Sequence, residues 1–177
     1  MDFDGLVDRY EKPIYNLIYR LLGDADEAAD LTQETFVAAY RSFSRFRGES
    51  TEYTWLYRIA VNRCKNRIKE KDRNSYHEGP SLDAPMGPEQ DEWGAQAASS
   101  SDRPEIELQR KELKHQIERA IRQLPPDYRI VAVLRDLQGL SYREIAQAAG
   151  LSVDVVRTRL ARARSALRQK LEAYLVE

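Results

Sequence analysis

Residues 139–177 constrain this chain more than any other stretch, reading GLSYREIAQAAGLSVDVVRTRLARARSALRQKLEAYLVE. The pattern predicts two helices joined by a tight turn. Ser141 is placed to cap the first, with Glu144 at the position that completes a capping box. Ile145, Ala148 and Ala149 recur at helical spacing, and Gly150 stands where a helix stop favours a residue tolerant of positive φ. Ser152 is placed to cap the second helix almost at once. There Val153, Val156, Leu160, Ala163, Leu167 and Leu171 make one apolar face. Arg157, Arg159, Arg162, Arg164, Arg168 and Lys170 occupy the remaining faces, beside Thr158, and no acid lies between Val155 and Leu171. A capped short helix, a Gly-Leu-Ser turn and a long basic helix together form the pattern of a helix-turn-helix. The second helix of such a unit enters a DNA major groove, where arginine pairs with guanine edges or phosphate oxygens. The plainer alternative is an amphipathic surface helix with a solvated basic side.

Charge balance sharpens the choice. The formal net charge is -1, so affinity for nucleic acid must come from charge sorted along the chain. Hydrophobic residues at 42% and charged residues at 32% suit a soluble helical protein with modest cores. Cys64 is the only cysteine, which rules out an intrachain disulfide and fits a reducing compartment. His77 and His115 stand alone, and there is no glycine-rich phosphate loop, so no metal, no cofactor and no enzymatic site are expected. No apolar run is long enough to span a bilayer, and the acidic start MDFDGLVDRY lacks a signal-peptide pattern. A cytoplasmic protein without membrane insertion is the expectation.

Upstream, the pattern is helical throughout. Phe3, Leu6, Val7, Tyr10, Ile14, Ile18, Leu21 and Leu22 predict a helix over residues 4–22, with Pro13 kinking or breaking it near Tyr10 to Lys12. Asp24 and Glu27 open a second helix to about Phe46. Its apolar side is Ala28, Leu31, Thr35, Ala39 and Phe43, widened by Phe36 and Tyr40. Asp30, Gln33 and Glu34 fall on another face. After the loop at Arg47, Gly48, Glu49 and Ser50, a third helix runs to about Lys71, with Trp55, Leu56, Ile59, Ala60 and Cys64 inward. Its exposed positions carry a second concentration of basic charge, including Arg58, Asn62, Arg63 and Lys65. Residues 72–103 are rich in Gly, Pro, Ser and acid, and predict a flexible linker whose main apolar anchors are Leu82, Met86 and Trp93. Helix resumes at residue 105 with Ile106, Leu108, Leu113, Ile117, Ala120, Ile121 and Leu124 on its apolar side. Pro125 and Pro126 stop it and start a short helix bearing Ile130, Val131, Val133, Leu134 and Leu137. The expected fold is all-α. Two small helical domains, residues 1–71 and 104–177, flank the linker.

The residues that settle on a family are Asp30-Leu31-Thr32-Gln33-Glu34-Thr35-Phe36 and Trp55-Leu56-Tyr57-Arg58-Ile59-Ala60-Val61-Asn62 in the first half. In the second half they are Leu124-Pro125, Leu134-Arg135, the run from Gly139 to Ala146, and the arginines between Arg157 and Arg164. In this order the chain resembles the extracytoplasmic-function (ECF) sigma factors of bacterial RNA polymerase. The resemblance implies that Asp30, Gln33 and Glu34 dock on the core polymerase, on its β and β′ subunits. It implies that Arg47, Ser50, Arg58, Asn62, Arg63 and Lys65 belong to the element that melts and captures the −10 strand. Ser152, Arg157, Thr158, Arg159, Arg162 and Arg164 would then read the −35 duplex, with Arg157, Arg159 and Arg162 carrying most of the contact. The linker would thread through the polymerase, and an anti-sigma factor would hide these surfaces. Val155 and Glu52 depart from the family, which often has threonine and an aromatic residue there. Asp154 adds a charge that repels phosphate at the start of the reading helix. From the residues alone, two other readings stay open: a dimeric helix-turn-helix regulator binding duplex operator, and an enzyme acting on nucleic acid.

Overall fold

Seven α-helices, and no strand, make up residues 2–75 and 103–175, which are the residues described in the computed structural model. The expected anchors Leu82, Met86 and Trp93, with His77, lie outside them. Helix α1 (Phe3–Leu22) starts on the Asp2 cap and ends at Gly23, whose φ of 76° closes the helix. Pro13 does not break it: the helix is continuous through that residue. Leu6, Ile14, Leu17, Ile18 and Leu21 are each no more than 1% exposed. Their burial, at about 1.5–3 kcal/mol per large side chain, outweighs the roughly 3 kcal/mol that an interior proline costs.

Asp24 caps α2 (Ala25–Phe43) by accepting from the Glu27 backbone N–H. The helix ends at Phe43, short of Phe46, and Ser44 begins the loop. Thr51 caps α3 (Glu52–Ser75): its hydroxyl accepts from the Thr54 N–H at 3.1 Å. Helix α3 continues to Ser75, so residues 72–75 are helical where linker was expected. The C-terminal half comprises α4 (Pro104–Arg122), α5 (Pro126–Ala132), α6 (Tyr142–Ala149) and α7 (Val153–Leu175). Pro126 opens α5. A π-helical turn, Val133–Leu137, prolongs α5 and brings the half-buried Gln138 to Tyr57. Among the described residues no helix is long and apolar enough to cross a membrane.

The N-terminal domain packs α1, α2 and α3 together, and the C-terminal domain packs α5, α6 and α7. The two domains also pack on each other, chiefly through α3 and α6. One continuous cluster of buried apolar side chains joins Leu56, Tyr57, Ala60 and Cys64 of α3 to Ile145, Ala148 and Ala149 of α6. Helix α3 therefore buries two sides. Tyr57 and Val61, which sequence periodicity left off its apolar face, are fully buried. The N-terminal half of α4 goes the other way. Ile106, Leu108 and Leu113 are 40%, 68% and 50% exposed, and the buried stripe of α4 begins only near Ala120.

Candidate nucleic-acid interface

The helix-turn-helix forms as its sequence dictates. Ser141 Oγ accepts from the Glu144 N–H at 3.2 Å while Glu144 Oε2 accepts from the Ser141 N–H at 2.7 Å, closing the capping box. Gly150, at φ 67°, makes the turn that L side chains disfavour. Ser152 Oγ then accepts from the Val155 N–H and starts α7. Val156, Leu160 and Ala163 are buried to 1% or less, which fixes the rotation of α7 about its axis. Arg157, Thr158 and Arg162 consequently face outward.

Several residues of the expected duplex-reading set are also engaged within the chain. Arg164 forms a two-pronged pair with Asp136, at 2.6 and 3.2 Å, and that hydrogen-bonded carboxylate raises its already high pKa. Arg159 lies 3.4 Å from Asp127 with its side chain only 27% exposed, making it the least available of the three arginines expected to dominate. Arg157 approaches Asp154 at 3.5 Å across one helical turn, and Thr158 Oγ1 donates to the Asp154 carbonyl. Asp154 itself is almost fully exposed at 92%, so its charge faces whatever α7 meets. Val155, 38% exposed, offers no hydroxyl there.

In the N-terminal domain the expected −10 residues divide into three groups. Arg47, Ser50 and Arg58 come together with Phe46 and Trp55 around a cleft of about 480 Å³. The Phe46 and Trp55 ring centroids lie 4.9 Å apart, so Trp55 packs against a neighbour and still presents surface to the cleft. Cations flanking an aromatic wall suit a phosphate backbone and an unstacked base. Asn62 and Arg63 line a second groove, between α2 and α3, with Glu34. There Glu34 accepts from Arg63 at 3.0 Å and lies 3.5 Å from Arg67, so an expected polymerase contact and an expected DNA contact hold each other. Such exposed pairs are worth about 0–1 kcal/mol and exchange readily for other partners. Lys65 stands apart from both groups. It points at α6 and donates to the Ala149 carbonyl at 2.7 Å, and burial pulls its pKa down.

On α2, Asp30, Gln33 and Glu34 are exposed on one face. The same face carries Val37 and Tyr40, 51% and 67% exposed, although Tyr40 was expected to widen the core. Tyr40 touches Phe3 edge-on at 5.2 Å and otherwise faces solvent. The spacing of Gln33, Val37 and Tyr40 was the available signal that these residues share a face. Gln147 of α6, which also lines the 480 Å³ cleft, had no signal in the sequence, because it reaches there only through packing between domains.

Comparison with known proteins agrees in both halves. The family described as Sigma-70 region 2 matches residues 6–74, and Sigma-70 region 4 matches residues 114–167. The RNA polymerase sigma-H factor of Pseudomonas aeruginosa is 39% identical over 175 residues, covering 99% of this chain and 89% of its own length. The ECF RNA polymerase sigma-E factor of Escherichia coli is 38% identical over 173 residues, covering 98% and 88%. Two solved structures share the fold. The sigma factor RpoE from Bartonella quintana, in complex with the anti-sigma factor NepR, has a TM-score of 0.73, 23% identity and 97% coverage of both chains. CnrH, in complex with the cytosolic domain of CnrY, has a TM-score of 0.62 at 24% identity, covering 97% of this chain and 88% of that one.

Proposed function

We propose, given that this chain belongs to the ECF sigma factors of bacterial RNA polymerase, that its basic surfaces take separate elements of one promoter. The regulator reading is not favoured, because the match runs through both halves and nearly the whole chain. The observation that carries the proposal is the outer face of α7, where Arg157, Thr158 and Arg162 stand exposed while the opposite stripe is buried. Inserted N-terminal end first into the −35 major groove, that face brings guanidinium groups to base edges and phosphates. Ser152, Arg159 and Arg164 flank it, the latter two after release from Asp127 and Asp136.

The cleft at Arg47, Ser50 and Arg58 receives the melted −10 strand, with Asn62, Arg63 and Lys65 supplying further polar and cationic contacts along α3. The exposed face of α2, from Asp30, Gln33 and Glu34 to Val37 and Tyr40, docks on the β and β′ subunits of core polymerase. Residues 1–71 thus serve the −10 element and core, residues 104–177 serve the −35 element, and residues 72–103 join them. The chain works in the cytoplasm, makes and breaks no covalent bond and needs no cofactor. An anti-sigma protein is its regulator. The test is transcription from genomic fragments by active core polymerase with and without the chain. Promoter-dependent transcripts that require the chain are expected, and none appearing would reject the function. Replacing Arg157 or Arg162 by alanine should weaken promoter binding by about 1–3 kcal/mol. The loss is confined to certain sequences for a base reader and uniform for a phosphate contact.

A further inference from the structure

The outward face of α7 is not uniformly basic. A helix advances about 100° per residue, so the positions opposite the buried Val156, Leu160 and Ala163 are Asp154, Thr158, Ala161 and Ser165. All four are exposed. Three of them are short and uncharged, and Thr158 spends its hydroxyl proton on the Asp154 carbonyl at 3.0 Å. Arg157 stands on one flank of this crest and Arg162 on the other. The one charge on the crest is therefore the Asp154 carboxylate. It sits in the first turn, the end that goes deepest when such a helix enters a groove N-terminal end first. Its side chain is 92% exposed, and Arg157 Nη1 approaches Oδ1 only to 3.5 Å, so the carboxylate keeps room for a second donor. A first-turn acid also suits the helix dipole, but that role needs no place on the crest.

A carboxylate carried into a groove is repelled by the phosphates on either side, and only a base-edge donor offsets that cost. In the major groove the donors are the cytosine N4 and adenine N6 amino groups. The adenine amino group stands beside the N7 acceptor, which repels a carboxylate. Cytosine presents its amino group alone and leaves O6 and N7 of the paired guanine for an arginine fork. We propose that Asp154 and Arg157 together read one cytosine–guanine pair of the −35 element, Asp154 accepting from the cytosine amino group while Arg157 donates to the guanine. This rests on the reading of α7 as the −35 helix. The contact between the two side chains, one helical turn apart, holds the fork in place before DNA arrives. Asp154 thus acts as a specificity-determining residue: its charge weakens binding to sequences that lack the cytosine.

The test is transcription by core polymerase with the full chain from promoters randomised across the −35 element, each template carrying a barcode in its transcribed region. Sequencing the transcripts then reports the selected bases. Wild type should select a cytosine–guanine pair at a position where Arg157→Ala also loses selection. Asp154→Ala should relax the preference there about fivefold or more and leave the other positions selected. Asp154→Asn should move the preference at that position from cytosine to adenine, because an amide pairs with adenine N6 and N7. Asp154 is exposed, so both variants should fold, which thermal melting checks. The same selected bases for wild type, Asp154→Ala and Asp154→Asn would overturn the proposal and leave the acid to the helix dipole. Equal weakening at every position would overturn it too. If wild type directs transcription but selects no −35 sequence, the reading of α7 fails instead, and this inference with it.

Discussion

Arg129 shows how one side chain can hold several helix ends. Its guanidinium donates to the carbonyls of Leu21, Arg122 and Leu124, at 2.8, 2.6 and 3.0 Å, and so completes the C-terminal turns of both α1 and α4. Burial lowers its pKa, yet an arginine stays charged where a lysine in such a place would tend to neutralise. Arg129→Lys keeps a cation but loses the fork, and should cost about 1–3 kcal/mol in urea unfolding. Cys64 supplies a test in pH. It is fully buried, and burial raises its thiol from 9.0 to about 12. The folded value exceeds the unfolded one, so the neutral thiol's contribution is complete below pH 9 and is lost as pH climbs toward 12. Stability should therefore fall across that alkaline window, with a shallower fall in Cys64→Ala measured the same way. Neither role was legible in the sequence. No pattern in the sequence singled out Arg129, and Cys64 read as an inward residue of unspecified depth. Each depends on at least one part of the chain far away in sequence: Arg129 reaches Leu21 besides the nearby Arg122 and Leu124, and Cys64 is buried in the cluster that includes Ile145.

Single helices were far more legible, because their signals are local. The Ser141 and Glu144 box, the Gly150 stop and the apolar stripe of α7 all form where spacing put them. Ser141→Ala should lower stability by about 1 kcal/mol, seen as a shift of the urea midpoint with an unchanged slope. A shift as large as that of a core deletion would show that Ser141 does more than cap. Periodicity misleads where a helix has two neighbours or none. Helix α3 meets both α2 and α6, so Tyr57 and Val61 are buried on a side that read as polar. Helix α4 has the reverse problem: its stripe continues through Leu113 and Ile106 although little packs against them. Pro13 likewise read as a kink or a break, and no break forms because tertiary burial, which local rules omit, holds α1 together.

At the scale of the whole molecule, the all-α class and the exposed basic face of α7 could be read from the residues, while the contact between domains could not. That contact depends on Gln138 and Lys65 meeting partners across it, and nothing in a one-dimensional pattern records such meetings. Because one apolar cluster runs through both domains, heating should melt them together. Calorimetry should give a single transition with matching calorimetric and van't Hoff enthalpies. Two resolved transitions would show the domains to be independent. Lys65 and Arg129 carry a further implication for relatives and for engineering. Each is encoded in one half and finishes a helix encoded in the other, α6 and α1 respectively. Hybrids that join the first half of this chain to the second half of a cousin will inherit mismatched ends unless both partners travel together. Exchanging halves between relatives therefore means transplanting the seam as well as α7.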